Sequence, residues 1–194
     1  DISRLYFDYN QKHILFVDDN FLQHHERIRN LIDAIRQSEL FGKLTYSFAT
    51  RGDSCEEGIL RELYNTGFKD INFGVETASG HLLKSLKKGE SLQEITDAIL
   101  LAKKIGFHVS INFIFGLPGE THKDRMDAIR LAKKLNVNLV KYSNATPFPG
   151  TKLHEIAKSE KRLFISGKYE NLNTAATMIE NPFHTRSLPY IPAG

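Results

Sequence analysis

The stretch Val109–Thr121, with the sequence VSINFIFGLPGET, joins an apolar run, a tight turn and the start of a helix. Successive side chains of a β-strand point to opposite sides, so the run separates into two faces. The first face is apolar and the second is smaller and more polar: Val109, Ile111, Phe113 and Phe115 against Ser110, Asn112 and Ile114. This pattern predicts a strand that packs on helices with one side and faces something polar with the other.

Four further runs have the length of strands and are rich in Ile, Val, Phe and Tyr. They are His13–Val17, Leu44–Thr50, Ile71–Val75 and Leu139–Ser143. Helical spacing of apolar residues lies between them. The predicted helices are Phe21–Gln37, Glu56–Asn65, Leu92–Ile105 and Lys123–Leu135. The order is therefore strand and helix in alternation.

Helix ends are marked as well. Ser54-x-x-Glu57 and Ser91-x-x-Glu94 have the pattern of a capping box, and Thr121-x-x-Asp124 is a looser version. Gly67 and Gly106 follow helical runs, where a left-handed residue is preferred. These signals support the predicted helix boundaries.

Strands and helices that alternate in units of about thirty residues predict parallel strands with right-handed crossovers. Both an open doubly wound sheet and a (β/α) barrel satisfy this order. The second face of the other strands is also small or polar: Ser47, Ala49 and Arg51; Asn72, Gly74 and Glu76; Lys141, Ser143 and Ala145. An open sheet covered by helices on both sides would be apolar on both. A partial barrel with a polar lumen is therefore the favoured prediction.

Composition sets further bounds. The 194 residues include 41% hydrophobic residues, 13 Phe and 7 Tyr, which is enough to form a core. The single cysteine, Cys55, excludes a disulfide framework and fits a reducing, cytoplasmic setting. The net charge of +3 is too small to argue for a nucleic-acid partner, and it does not exclude one. No run is long enough to span a membrane. A chain that begins at Asp1 in folded-looking sequence resembles a piece of a longer protein.

Polar and charged residues gather at the carboxyl ends of the predicted strands, where parallel α/β folds place their sites. They are Asp18, Asp19, Asn20, Arg51, Asp53, Glu76, the Gly116–Glu120 turn and the Asn144–Gly150 segment. Such a rim suits a ligand with amine, carboxylate and hydroxyl groups. The sequence has no phosphate-binding P-loop, dinucleotide fingerprint or Gly-x-Ser-x-Gly motif. His24 and His25 are adjacent and diverge on a helix, so they make a poor metal pair.

Six motifs occur in order and at consistent intervals. They are FVDDNF (Phe16–Phe21), TRGD (Thr50–Asp53), GFKDINFGVETAS (Gly67–Ser79), LKKGES (Leu86–Ser91), INFIFGLPGET (Ile111–Thr121) and ATPFPGT (Ala145–Thr151). Together they resemble the catalytic core of radical S-adenosylmethionine (SAM) enzymes, most closely the branch that often carries an N-terminal cobalamin-binding domain. The resemblance covers residues 1–158. Residues 159–194 are predicted to form an irregular C-terminal extension.

The resemblance implies an α/β fold, a partial (β/α)6 barrel of the TIM type, of which this chain holds strands 2 to 6. The first strand and its cluster loop of three cysteines would lie before Asp1, so the chain is interpreted as an N-terminally truncated fragment. The implied cofactors are SAM, a [4Fe–4S] cluster with ligands outside this chain, and cobalamin on a missing N-terminal domain. The reduced cluster would cleave SAM to methionine and a 5′-deoxyadenosyl radical that attacks an unreactive C–H bond. A reductant protein is the implied partner.

The resemblance also suggests a role for particular residues. Backbone groups of Asp18, Asp19 and Asn20 would hold the methionyl amine, and Glu76 would lie near the methionyl or ribose end. Asn112 would reach a ribose hydroxyl, and the stretch from Ile114 to Gly116 would line the adenine. Arg51 is placed by our own inference opposite the methionyl carboxylate.

Each assignment has a structural alternative. Asp18 and Asp19 would equally cap the helix that follows, and Arg51 would equally form an ion pair with Asp53 or Glu76. The lysine pairs at 87/88, 103/104 and 133/134 are interpreted as solvated helix faces. Cys55 is not expected to ligate a cluster, and no metal ligand is predicted in this chain.

The sequence therefore predicts part of a radical SAM enzyme whose reaction is methyl transfer, ring formation or methylthiolation. The chain alone is expected to be inactive. One alternative is a barrel without a cluster that serves as a binding or interaction module. Another is a conventional barrel enzyme that uses its Asp, Glu and Arg residues for acid–base catalysis. The substrate, whether small molecule or macromolecule, stays open.

Overall fold

The computed structural model describes residues 2–163, and five of their segments form one parallel sheet. The strands are β1 (His13–Leu15), β2 (Thr45–Thr50), β3 (Phe68–Glu76), β4 (His108–Phe115) and β5 (Leu139–Asn144). The helices are α1 (Ile2–Phe7), α2 (His25–Gln37), α3 (Glu57–Thr66), α4 (Gly80–Ser85), α5 (Leu92–Ile105), α6 (His122–Leu135) and α7 (Lys152–Ser159). Two 3₁₀ helices, Phe21–Gln23 and Gly52–Ser54, precede α2 and α3.

The strand order distinguishes between the two predicted architectures. The strands lie in the sheet in the order β1-β2-β3-β4-β5, which is also their order in the chain. A doubly wound sheet reverses direction at a switch point, whereas a barrel adds each strand beside the one before it. The prediction of a partial α/β barrel is therefore confirmed: the five strands form a curled half-barrel.

The core lies between the sheet and its helices. The predicted apolar faces of β3 and β4 are buried except for the half-buried Phe115, with Phe73 and Phe113 at 0% exposure. An aromatic cluster joins β2 and β3 to the segment before α2, where the rings of Tyr46 and Phe68 lie 4.7 Å apart and those of Phe21 and Phe48 4.9 Å apart. Aromatic pairs at these distances add to the burial energy of their large apolar areas.

The second face of the sheet is polar, as predicted. Ser110 Oγ on β4 donates a hydrogen bond of 2.8 Å to Asn72 Oδ1 on β3, which links the two strands on this side. The other face, predicted to be apolar and packed on helices, is not fully covered at β5, where Tyr142 is 37% exposed and Val140 is half-buried. Among the described residues β5 is an edge strand with a single strand neighbour, so its apolar side chains are less covered than those of the central strands.

Most helix ends agree with the sequence. Ser91 and Thr121 form complete capping boxes with Glu94 and Asp124, so the second is not the looser version expected. Gly67 and Gly106 take left-handed φ values of 113° and 115° at the ends of α3 and α5.

The box predicted at Ser54 is wrong. Helix α3 begins at Glu57 with Glu56 as its N-cap residue, and no side chain caps it. Ser54 belongs to the preceding 3₁₀ helix, where its hydroxyl accepts a hydrogen bond from Asn20 Nδ2 at 3.0 Å and donates one to Asp53. The hydrogen bond with Asn20 occupies the Ser54 hydroxyl group that a capping box would use.

Other differences concern element boundaries. The helix predicted from Phe21 is a 3₁₀ helix followed by α2, and the short helices α1, α4 and α7 were not predicted. The irregular extension predicted for 159–194 falls mostly outside the described residues. No helix of the described part of the chain is long and apolar enough to cross a membrane.

Candidate functional site

A cavity of about 520 Å³ opens on the polar face of the sheet. All five strands or the residues directly after them contribute to its wall. The predicted site residues that line it are Asp18, Asp19, Arg51, Glu76 and Asn112. Parallel strands end at one edge of the sheet, and for this reason side chains far apart in the sequence meet there.

The other predicted residues lie beside the cavity and do not line it. Asn20 Oδ1 accepts a hydrogen bond of 2.8 Å from Thr50 Oγ1 and one of 3.3 Å from the Arg51 backbone N–H. Asn20 therefore braces the end of β2. The half-buried Ile114 and Gly116 lie at the end of β4, where the Gly116 N–H donates to Glu120 Oε2 at 2.8 Å.

Asp18 and Asp19 do not cap a helix, which corrects one of the structural alternatives. Asn20 is the N-cap residue of the 3₁₀ helix that follows, and no side-chain hydrogen bond is formed there. Asp18 Oδ1 instead accepts a hydrogen bond of 2.9 Å from Arg27 Nη1. Asp19 has no side-chain partner among the described residues.

Arg51 forms an ion pair with Asp53, which was one of the structural alternatives for this residue. Its Nε and Nη2 donate to the two carboxylate oxygens at 3.0 and 2.5 Å. This bidentate hydrogen bonding lowers the pKa of Asp53 and raises the pKa of Arg51. Its suggested contact with a methionyl carboxylate stays a prediction, since the guanidinium also borders the cavity.

Glu76 is held in an unusual backbone conformation. Its φ of 65° lies in the left-handed region, which is uncommon for a residue with a side chain. The register of β3 against β4 shifts between Gly74 and Glu76, so the strand bulges at this point. Bulges re-aim side chains beside active sites. Here the carboxylate is directed at the cavity and at Lys88 Nζ, 3.2 Å away.

Sequence reasoning missed two charged residues of the site. Lys88, interpreted as part of a solvated helix face, lines the cavity with a side chain only 13% exposed. Glu90 is fully buried behind it, and its Oε2 accepts a hydrogen bond of 2.8 Å from the Gly52 backbone N–H. Its Oε1 lies 3.4 Å from Lys88 Nζ. The spacing of these residues in LKKGES shows no periodicity that would have separated them from exposed lysines.

The cavity suits a zwitterionic nucleoside such as SAM. It presents carboxylates, cations and amides, and Asn112 Oδ1 is buried with no hydrogen-bond partner among the described residues. A buried polar atom without a partner costs free energy, which a ligand hydroxyl would recover. The residues present therefore fit the organic cofactor.

They do not fit an iron–sulfur cluster. Cys55 is the single cysteine of the chain, and its thiol donates to the Arg51 carbonyl oxygen at 3.4 Å. Burial, with Glu90 and Asp53 nearby, raises the pKa of this thiol to about 12, whereas cluster ligands are thiolates. Within residues 2–163 no group of three or more His, Cys, Asp or Glu side chains is arranged to hold a metal ion.

Comparison with known proteins assigns the family. The model of the radical SAM superfamily matches residues 2–132. The match covers more than half of the chain, so the chain belongs to the radical SAM superfamily. The family uses SAM and a [4Fe–4S] cluster.

An uncharacterized methyltransferase of Pyrococcus horikoshii is 33% identical over 157 residues, which are 81% of this chain and 34% of that protein. Among solved structures, the radical SAM methyltransferase TsrM from Kitasatospora setae, with cobalamin and a [4Fe–4S] cluster bound, matches with a TM-score of 0.70 at 16% identity. The match covers 83% of this chain and 33% of TsrM. Coproporphyrinogen III oxidase from Escherichia coli, a radical SAM enzyme, matches with a TM-score of 0.62 at 20% identity, over 71% of this chain and 32% of that one.

At 16% and 20% identity, the two solved structures show a similar fold and nothing further. The chain spans about a third of the length of each of these three proteins. The activity of the whole protein is therefore a matter for proposal.

Proposed function

We propose that this chain forms the SAM-binding half-barrel of a radical SAM enzyme that transfers a methyl group to an unreactive carbon with the help of cobalamin. The observation that carries the proposal is the polar cavity, on whose wall Asn112 Oδ1 has no hydrogen-bond partner within residues 2–163. The printed names of the Pyrococcus relative and of TsrM support methyl transfer over ring formation or methylthiolation.

The residues of the cavity have distinct parts in this proposal. Asp19, without a partner in the described chain, and the neighbouring backbone attract the methionyl amine. Asn112 accepts a hydrogen bond from a ribose hydroxyl, and Glu76 borders the same end of the ligand. Arg51 stays in its pair with Asp53 and presents its remaining N–H groups to the methionyl carboxylate.

When bound, SAM supplies the methyl group or the adenosyl radical, and the protein's part is to hold it in one orientation and keep water away. The fixed dipoles of a preorganised site do this without reorganising during the reaction. The [4Fe–4S] cluster and cobalamin of the family would be ligated outside the described residues. A reductant protein as electron donor and a cytoplasmic location complete the proposal, the latter supported by the single cysteine.

Binding of S-adenosylhomocysteine to the 194-residue chain, measured by calorimetry, tests the SAM site. We expect saturable 1:1 binding that Asn112→Ala weakens about tenfold, since a hydrogen bond in a buried site is worth about 1–1.5 kcal/mol. Asn30→Ala, on the exposed side of α2, serves as the matched control. Equal binding by wild type and Asn112→Ala would contradict the assignment.

The reaction is tested on the chain expressed with the sequence that flanks it in its genome. The protein is reconstituted anaerobically with iron, sulfide and cobalamin and given a reductant. Formation of S-adenosylhomocysteine or 5′-deoxyadenosine from SAM is expected. A protein that carries a cluster and binds SAM but yields neither product would refute the proposed activity while leaving the binding site intact.

A further inference from the structure

The charges on the cavity wall are not evenly compensated. Three cations line it: Arg51, Lys88 and Lys141. The first is paired with Asp53 and the second with Glu76 and Glu90. Lys141 has neither an ion pair nor a hydrogen bond among the described residues, so its ammonium group is available to a ligand.

The carboxylates of the cavity wall show the same asymmetry. Asp18 pairs with Arg27 at 2.9 Å, and Asp70 lies 3.2 Å from His108 Nδ1. Asp19 is the carboxylate of the wall left without a partner in the described chain. Within residues 2–163 there is thus one negative charge without a partner in the segment after β1, and one such positive charge on β5.

Lys141 is also placed beside an unsatisfied amide. In the register of the sheet it is the direct neighbour of Asn112, with β4 and β5 about 4.8 Å apart. Asn112 Oδ1 is buried with no hydrogen-bond partner among the described residues, and it is the acceptor assigned to the ribose hydroxyl. The Nδ2 group of the same amide and the ammonium group of Lys141, on adjacent strands of the cavity wall, are then two donors for an oxyanion.

SAM itself offers no anion for this place when it is bound as proposed. Its carboxylate is bonded to the same carbon as its amine, so both lie near β1 and β2. The ribose and adenine reach β4, beside Lys141, but they carry no negative charge, and the sulfonium is a cation. Lys141 is exposed, so water hydrates its ammonium group until an anionic group of a second molecule takes that place.

We infer that Lys141 is a specificity-determining residue and that the substrate carries an anionic group, a carboxylate or a phosphate, which binds Lys141 on the β5 side of the cavity. This inference rests on the proposed function, because it assigns the β1 and β2 side to the charged amino-acid end of SAM.

The test compares charged and neutral probes of the same shape on the 194-residue chain saturated with S-adenosylhomocysteine. Benzoate is paired with benzamide, and phenyl phosphate with phenol, and dissociation constants are measured by NMR titration. In one of the two pairs we expect the anion to bind about tenfold more tightly than its neutral counterpart. The pair that shows this preference tells whether the substrate group is a carboxylate or a phosphate. Lys141→Gln should abolish this preference, and Lys141→Arg should retain it.

Lys134→Gln on the exposed face of α6 is the matched control and should behave as wild type. An absent preference, or one that survives in Lys141→Gln, would overturn the inference. So would a Lys141→Gln variant whose affinity for S-adenosylhomocysteine itself falls tenfold, since Lys141 would then serve the cofactor. Failure of the wild-type chain to bind S-adenosylhomocysteine would count against the proposed function; the anion titration, repeated without it, still decides whether Lys141 binds anions.

Discussion

Glu90 shows how a single buried carboxylate organises the site. Its Oε2 accepts hydrogen bonds from the backbone N–H groups of Gly52 and Asp53 at 2.8 and 3.3 Å, and its Oε1 faces Lys88 and Arg51. The side chain therefore fixes the turn after β2 and at the same time compensates two cations of the cavity wall. A buried charge is tolerated only where it is paired and hydrogen-bonded in this way.

Replacement of Glu90 by alanine is expected to lower the free energy of unfolding by about 2–4 kcal/mol, because two backbone donors lose their acceptor and Lys88 loses one of its two carboxylate partners. Urea denaturation followed by circular dichroism measures the change. Glu39→Ala, at an exposed carboxylate between α2 and β2, should stay within about 0.5 kcal/mol of wild type. A similar loss in both variants would argue against a special role for Glu90.

Cys55 illustrates the opposite case, a reactive residue type made inert by its surroundings. With a pKa of about 12, only about one thiol in ten thousand is ionised at pH 8. We expect the folded chain to react with a thiol reagent at least about a hundredfold more slowly than the chain in guanidinium chloride, and the rate to rise with pH up to the point of unfolding. Equal rates in the folded and unfolded chain would show that the thiol is not protected.

At the scale of elements, the contact between the 3₁₀ helix Gly52–Ser54 and α5 depends on the absence of a side chain. A Cβ atom on Gly52 would lie 2.7 Å from Ile95 Cα and 3.1 Å from the Glu94 carbonyl oxygen. Both are backbone atoms of α5, so the helix would have to move as a unit. This close approach also brings Glu90, just before α5, to the end of β2.

Gly52→Ala is therefore expected to destabilise the chain by about 1–3 kcal/mol. Gly58→Ala is the matched control: apart from its chain neighbours and the backbone of α3 itself, no atom lies within 4 Å of its Cβ position, and alanine there should stabilise the helix by about 0.5–1 kcal/mol. Thermal unfolding of both variants measures the difference. Opposite signs are the expected result, and a Gly52→Ala variant as stable as wild type would mean that α5 shifts at little cost.

At the scale of the whole molecule, one face of the half-barrel stabilises the fold and the other face forms the binding cavity. The face of the sheet toward the helices holds the aromatic core, and the other face holds the cavity. A ligand that binds the folded chain stabilises it by mass action. The effect should be localised, because the ligand touches the carboxyl ends of the strands and not the core.

Saturating S-adenosylhomocysteine is expected to raise the unfolding temperature by several degrees, and to slow amide hydrogen exchange most around Asp18–Asn20, Thr50–Arg51 and Gly74–Thr77. Exchange measured by mass spectrometry with and without the ligand gives the map. The outer helix α6 is the internal control and should change little. Uniform protection of all elements would indicate global stabilisation without the expected site.

The amino-acid sequence by itself determined the parallel α/β order, the two-sided strands, two of the three capping boxes and the membership of the radical SAM superfamily. The strand order, the two-sided strands and the caps are local or periodic features, since the alternation of side chains and the caps follow from bond geometry within a few residues. The membership rests on short motifs, each made of residues adjacent in the chain. The tertiary structure alone decided that Ser54 contacts Asn20 rather than a helix end, that Lys88 faces the cavity, and that Glu90 is buried behind it. It alone left Asp19 and Lys141, at opposite ends of the sheet, without a charged partner in the part of the chain that the structure describes. Such facts depend on which segments meet after folding, and pairing between residues distant along the chain leaves no signal in the spacing of either one.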